Sequence, residues 1–473
     1  MRRVLFRELK PYSLAAIARA LCVGRDEAER IVARLMVRGV VCLRGESAAS
    51  AADPSEAKGS NPGELYQFCF VGVVTAGDFV IVSYPKYFRD REPDESDLRQ
   101  IMRVLRRCEL ASEISASDEE GEASRDRLPV MLALLDLYAE RGVYSNYVEG
   151  RELNGSGVID WARTIGSHLP VVDGGRPIYV EYESRRTLRD ESDFVTRLHQ
   201  AVLTECSREL VEAGVADLLS LDEVRLSDED AGAFGDAASL VARLGRERAA
   251  QFVDWKLEVL DLLASYLLSR EAEASERELQ AVGTTSFYHV WELACKAAMG
   301  DCLAERIGSL GIDLAPAWRA WSSKKLIDVI PRPLWERADG RGGFLPCGEV
   351  DTLIPDAIVV RPQGAGTLAI YDAKYYVPSR TGRMAGQPGV ADVTKQMLYQ
   401  SAYRDFVRDN GIGQVTNAFL VPTSEDEPRL LARVSFPDVL PSEGPPFTPY
   451  VEMWALPAAA AYNCLLRGEE MDV

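Results

Sequence analysis

Residues 368–376 read LAIYDAKYY and residues 351–360 read DTLIPDAIVV, two strand-like compositions that each carry charge among apolar neighbours. Side chains alternate along a strand, so Leu368, Ile370, Asp372 and Lys374 share one face, while Ala369, Tyr371 and Ala373 share the other. A carboxylate and an ammonium among aliphatic residues cost free energy unless each finds a partner or a metal. Asp356 lies on the preceding strand, across the turn RPQGAG, and antiparallel pairing would bring it beside Asp372. Two such carboxylates suit Mg²⁺, which takes one or two protein carboxylates and completes its shell with water and substrate phosphate. Lys374 would lie about 7 Å along the strand from Asp372, at about 3.3 Å per residue. From there it could orient an attacking water or offset charge on a pentavalent phosphate. The chemistry implied is phosphodiester hydrolysis by a metal-activated water.

An acid two residues before a lysine is a weak signal on its own. Four of the nine lysines have one: Glu8 before Lys10, Glu56 before Lys58, Asp254 before Lys256, and Asp372 before Lys374. Only the last pair lies on an apolar alternating strand. Lysine is also scarce, nine of 54 basic residues, in a chain that otherwise uses arginine. Arginine holds its proton and presents a planar fork, so a site needing a compact charge or a proton relay favours lysine.

Two helices flank these strands. In SFYHVWELACKAAMGD, capped by Ser286 or Thr285, the apolar stripe is Phe287, Trp291, Ala294 and Ala298, broadened by Tyr288, Cys295 and Met299. Glu292 stands at its edge, within reach of a metal or its water, although an isolated helical glutamate also fits a solvated face. His289 reads as packing or surface. Downstream, Gly389 and Asp392 lead into VTKQMLYQSAYRDFVRD, where Gln396, Gln400, Tyr403 and Val407 share a stripe. The stripe either faces the site, with Gln396 best placed to hold a phosphate or water, or is helix surface.

The elements that must position these groups sit in a long chain. At 473 residues, two or three domains are expected. A formal net charge of -19 excludes a surface coated in basic residues, so any nucleic-acid contact must be local. Nine cysteines without a CxxC pair and only three histidines give neither a disulfide framework nor zinc-ligand spacing, which points to reducing cytosol. No signal-peptide core or apolar run of membrane-spanning length occurs, so a cytoplasmic location and no membrane contact are expected. The sequence contains no GxxxxGK[ST], and the turn in ELNGSGVIDWARTI lacks GxGxxG spacing, so nucleotide hydrolysis would have to come from a partner.

Residues 1–45 read as helix, turn, helix and strand, with Ser13 as cap and breaks at Gly24 and Gly39. That is the order of a winged helix-turn-helix and also of a plain helical hairpin followed by a strand. Residues 46–63 read as a linker. LYQFCFVGVVT and FVIVSYPKYF form a hairpin about Ala76, Gly77 and Asp78, and residues 117–126 form an acidic loop. PIYVEY reads as a strand, and residues 127–141, 190–213 and 236–269 as helices. No internal repeat is present.

The order of helix with Glu292, strand with Asp356, strand with Asp372 and Lys374, helix with Gln396 and strand TNAFLVP resembles the PD-(D/E)XK nuclease core. Within that superfamily, YQFCFVGVV, VIVSYPKYF, LNGSGVIDWARTI, PIYVEY, HQAVLTEC, FYHVWE and IYDAKYY, in this order, resemble the LlaJI family of restriction endonucleases, itself similar to the McrC cleavage subunits. The resemblance runs from about residue 64 to 422. It implies a defence nuclease that cuts double-stranded DNA with a companion AAA+ NTPase of the McrB kind. It also implies that Asp356, Asp372 and Lys374 are the catalytic motif, with Glu292 and Gln396 at accessory helix positions. Asp356, Asp372 and Glu292 would hold Mg²⁺.

The expected fold is thus an α/β C-terminal nuclease core, a mixed sheet flanked by helices, with an N-terminal winged-helix-like module and a largely α-helical middle region. The expected domains are the module at 1–45, a mixed middle domain at 64–275 that binds DNA or the motor, a nuclease domain at 276–425 and an extension at 426–473. The competing reading is a non-catalytic DNA-binding adaptor or regulatory subunit on a nuclease-like scaffold. A structure-specific nuclease or RNase on the same fold is a third. Self-association stays open.

Overall fold

The computed structural model describes residues 2–44, 65–76, 79–108, 127–273, 280–339, 341–349, 352–379, 384–436 and 444–471. The expected linker at 46–63, the turn residues Gly77 and Asp78 and the acidic loop at 117–126 lie outside the described residues. The chain forms two compact units, one within residues 118–217 and 221–281 and the other within residues 2–117, 218–220 and 282–473. Both are mixed α/β. No described helix is long and apolar enough to cross a membrane.

The first unit is mainly helical, with helices Arg127–Arg141, Phe194–Glu212, Ala237–Ala250 and Asp254–Glu273. The expected helix at 236–269 is therefore two helices, parted at residues 251–253. Asp193 and Asp236 cap two of the four, accepting from Thr196 N and Ser239 N. Strand Glu183–Arg189 lies between Tyr147–Leu153 and Val158–Ile159 in a small antiparallel sheet. PIYVEY is not one strand. Its first two residues end the short strand Arg176–Ile178, and residues 179–182 only lead into Glu183–Arg189. Proline at 177 has no N–H to donate, which suits a two-stranded ribbon better than a sheet interior.

In the second unit Ser13 caps helix Leu14–Leu21 by accepting from Ala16 N, and helix Arg25–Val37 follows with Asp26 and Glu27 in its first turn. A strand the sequence did not announce, Arg2–Arg7, precedes them and pairs in parallel with Phe79–Tyr84. LYQFCFVGVVT divides after Phe68. Leu65–Phe68 is the centre of a three-stranded sheet with Pro11–Ser13 and Val41–Leu43, whereas Val71–Ala76 pairs antiparallel with Phe79–Tyr84. Unbroken β-type composition does not mark where a strand changes sheets. Gly72 does so in part: a Cβ there would meet Val282 O at 2.2 Å on the neighbouring strand Gln280–Thr284. The same pairing places Cys42 opposite Gln67 and brings Cys42 to Cys69, which are joined as a disulfide that cysteine spacing had not indicated.

The catalytic candidates sit on a five-stranded mixed sheet in the order Ala357–Arg361, Thr367–Ala373, Gln414–Thr423, Val451–Pro457 and Arg429–Val434. The first pair is antiparallel, the next two pairs are parallel and the last is antiparallel. Two of these strands come from residues expected as a C-terminal extension, so that segment is integral to the sheet. Helices Val390–Ala402 and Arg404–Asp409 cover the face that carries Leu368 and Ile370, through Tyr399, Tyr403, Phe406 and Val407. Helix Phe287–Met299 buries Phe287, Trp291, Ala294, Cys295, Ala298 and Met299 as its apolar pattern requires. Tyr288, expected in that stripe, is exposed.

Candidate active site

The antiparallel register pairs Ala357 with Tyr371 and Ile358 with Ile370, so one step further brings Asp356 to Asp372. Asp356 Oδ2 accepts from the backbone N–H of Ala373 at 2.7 Å. The parallel ladder continues beyond Ala373, with Lys374 N donating to Leu420 O at 2.8 Å. Trp291 Nε1 donates to that same carbonyl at 3.0 Å, pinning its helix to strand Gln414–Thr423 where Lys374 pairs with it.

Asp372 is 6 % exposed. Lys374 Nζ lies 2.6 Å from Asp372 Oδ2 and 3.3 Å from Asp392 Oδ1. Lys374 is the close partner of Asp372 Oδ2, and no other donor reaches that oxygen among the described residues. Asp392 does two things, because its Oδ2 also accepts from Gly389 N at 3.0 Å and caps the helix Val390–Ala402. Asp392 is a site residue that motif spacing does not single out. Its signal was an acid in the first turn of a helix that must pack beside a buried lysine.

Burial, reinforced by the like charges of Asp372 and Glu292, pushes the Asp356 carboxyl up to about 7. Burial also raises Asp372, against the pull of Lys374. Burial disfavours the Lys374 ammonium, but Asp372 and Asp392 outweigh it and hold the charge above the ordinary lysine range. The buried Cys295 thiol is raised well above its usual value by burial and by Asp356, Glu292 and Asp372, which leaves it a packing group.

Glu292 contributes its charge to this neighbourhood, but its carboxylate is engaged by Lys296 Nζ at 2.7 Å, with His289 Nδ1 at 3.9 Å. Gln396 is fully buried, and Nε2 donates to Ala418 O at 3.3 Å while its backbone carbonyl accepts from Asn417 Nδ2 at 3.0 Å. The rest of the stripe is buried too: Gln400 Nε2 donates to Thr448 O and Tyr403 OH to Leu326 O. These side chains bracket helix to sheet and to neighbouring loops. Among the described residues no group of three or more His, Cys, Asp or Glu side chains is arranged to hold a metal.

Mg²⁺ does not need three. Asp356 and Asp372 would suffice where water completes the shell, and a buried, like-charged pair is the donor set a hard cation would relieve.

The chain is 28 % identical over 372 residues to the type II restriction enzyme BsuMI component YdjA of Bacillus subtilis strain 168, covering 76 % of this chain and 72 % of that protein. Among solved structures, McrB AAA+ hexamers with bound McrC from Thermococcus gammatolerans align at 12 % identity and a TM-score of 0.35, over 98 % of this chain and 99 % of that one. A second McrBC complex from that organism aligns at 12 % identity and a TM-score of 0.20, over 57 % of this chain and 87 % of that one. Both are likenesses too slight to bear on the fold. The family model of the LlaJI restriction endonuclease matches residues 70–310 and 322–437, more than half of the sequence, and the chain belongs to that family.

Proposed function

We propose that this protein is a Mg²⁺-dependent endonuclease that hydrolyses phosphodiester bonds of double-stranded DNA as the nuclease component of a restriction or anti-phage system. The observation that carries the reading is the meeting of Asp356, Asp372 and Lys374 at the end of one sheet, in a chain of a restriction endonuclease family. The sheet with residues 287–299 and 390–409 is read as a PD-(D/E)XK core, and the helices at 14–37 with their three-stranded sheet as a winged-helix-like module.

Asp356 and Asp372 would hold Mg²⁺, with Glu292 as a supporting charge. The ion would supply Lewis-acid stabilisation of charge at the phosphate and a lowered pKa for water. Lys374 donates hydrogen bonds from a permanently charged head to a water or phosphate oxygen. Asp392 shares that head with Asp372 and so sets where it points. Gln396, on the same helix as Asp392, ties that helix to the carbonyl of Ala418 on the sheet. Membership of a restriction endonuclease family supports a partner AAA+ NTPase of the McrB kind, which would supply the nucleotide hydrolysis for which this sequence has no P-loop, and the net charge of -19 leaves much of the DNA affinity to that partner.

One observation favours the adaptor reading: Lys374 is already neutralised by two carboxylates, as in a structural ion cluster. Calorimetric Mg²⁺ titration separates the two. The nuclease reading expects binding that is lost in Asp372→Asn; equal behaviour of parent and variant supports the adaptor. Cleavage of supercoiled, single-stranded and branched DNA compared with RNA then fixes the substrate.

A further inference from the structure

Tyr375, the residue after Lys374, is held from the far end of the sequence. Its hydroxyl donates to Glu8 Oε2, and Glu8 is 7 % exposed. The same oxygen accepts from Lys86 N at 3.1 Å, and Glu8 N donates to Tyr84 O at 2.8 Å. Lys86 Nζ lies 4.5 Å from the centre of the Tyr375 ring, and the Phe287 ring packs against it at 5.4 Å. Next to Glu8, Leu9 has a left-handed backbone with φ 56°. It is kept there by Leu9 N donating to Phe68 O at 2.9 Å and by Gln67 Nε2 donating to Leu9 O at 2.6 Å.

Neither feature favours stability. A non-glycine residue at positive φ is strained, and a buried carboxylate is commonly less stable than an apolar residue of similar size. What the arrangement secures is the placement of Tyr375. Tyr376 N donates back to Lys374 O at 2.8 Å and closes a tight turn about Tyr375, so holding the Tyr375 ring by its hydroxyl fixes the turn that ends the Lys374 strand.

We infer that Glu8, acting through the Tyr375 hydroxyl, is a positioning residue that fixes the end of the catalytic strand and holds Lys374 between Asp372 and Asp392. The inference rests on the nuclease reading of Lys374 and adds to it a residue of the N-terminal strands.

The test compares the full chain with its Tyr375→Phe, Glu8→Ala and Glu8→Gln forms, each with Mg²⁺, plasmid DNA and an AAA+ partner of the McrB kind. Tyr375→Phe and Glu8→Ala should lower kcat by about 10- to 100-fold, the scale of a misplaced catalytic group, with KM for DNA unchanged. Glu8→Gln keeps an acceptor and should recover most of the rate. Parent-like kcat in Tyr375→Phe, or a Glu8→Gln form as slow as Glu8→Ala, overturns the inference. Tyr375→Phe removes one atom and decides the matter if Glu8→Ala does not fold. A second readout needs no cleavage: in protein carrying ¹³C at the lysine ε-carbons, the Lys374 resonance, assigned by its loss in Lys374→Arg, should move in Tyr375→Phe. A resonance that stays put overturns the inference even if the parent cuts no DNA. A parent that cuts nothing, with a Lys374 resonance that moves, refutes the nuclease reading and leaves the positioning role standing.

Discussion

Each unit buries a carboxylate with a cation, and the two are built differently. In the helical unit Glu205, 7 % exposed, accepts from Ala231 N at 2.8 Å, Tyr266 OH at 3.1 Å and Arg270 Nη1 at 3.1 and 3.4 Å. Donors surround it. At the sheet end Asp372 Oδ2 has Lys374 alone among the described residues, at 2.6 Å, and Asp356 is crowded by Asp372 and Glu292. A saturated carboxylate anchors structure, whereas crowded carboxylates with spare acceptor capacity store unfavourable energy that a cation would release. The difference separates a buried ion pair from a candidate site more sharply than burial does.

The largest effect that would sharpen the contrast is on rate. Lys374→Ala should reduce DNA cleavage by about 10²- to 10⁴-fold, the usual contribution of a positioned proton-transfer or charge-stabilising group, with folding retained. Glu205→Ala should leave the per-molecule rate of the folded protein unchanged. If the two variants lose cleavage alike, the contrast fails.

Next comes pH. The folded Asp356 carboxyl is raised from 3.8 to about 7, so between those values the folded state binds more protons than the unfolded chain. Stability from this group is therefore present below about pH 4 and lost as pH rises through 7. At about 1.4 kcal/mol per unit, the loss has an upper bound of about 4.5 kcal/mol. Thermal unfolding at pH 5 and pH 8 should show that Asp356→Asn abolishes most of this fall, and that Mg²⁺ stabilises the parent at pH 8 but not the variant. An identical pH slope in both proteins would remove the crowding argument.

On the saturated side, Glu205→Ala removes one shared acceptor from Ala231 N, Tyr266 OH and Arg270 and should cost about 2 kcal/mol in urea unfolding, with no dependence on Mg²⁺. The smallest effect belongs to Glu292→Gln. Its carboxylate is engaged by Lys296 in a partly exposed i, i+4 pair of about 0.3–0.5 kcal/mol, so cleavage should change by only a few-fold. A loss as large as that of Lys374→Ala would move Glu292 into the metal's own ligand set.

The acid-bearing strands were legible because alternation and a short turn fix register locally, and Asp356 does meet Asp372. The Ser13 cap and the apolar stripe of residues 287–299 were local in the same way, with exposed Tyr288 the exception. What escaped depends on distant partners. Arg2–Arg7 is a strand through its pairing with Phe79–Tyr84, and Arg429–Val434 and Val451–Pro457 join the sheet through Gln414–Thr423. Glu8 before Lys10 looked like a chance match to the acid and lysine spacing. Its importance is to Tyr375, far along the chain, and no spacing rule reaches that distance. Helical phase places Gln396 on the face turned to the sheet, and the contact of its Nε2 with the carbonyl of Ala418 depends on a strand that phase does not reach.

The central claim is that the end of the Asp372 strand is a nuclease centre. Its most direct measurement is cleavage of unmodified plasmid or phage DNA with Mg²⁺ by the purified parent and its Lys374→Ala form, each with and without an AAA+ NTPase of the McrB kind and nucleotide. The account predicts that only the parent cuts, and that the partner strengthens or is required for cutting. Equal cutting by both forms, or none by either on DNA rich in candidate sites, would contradict it and leave Asp372 and Lys374 as a structural pair.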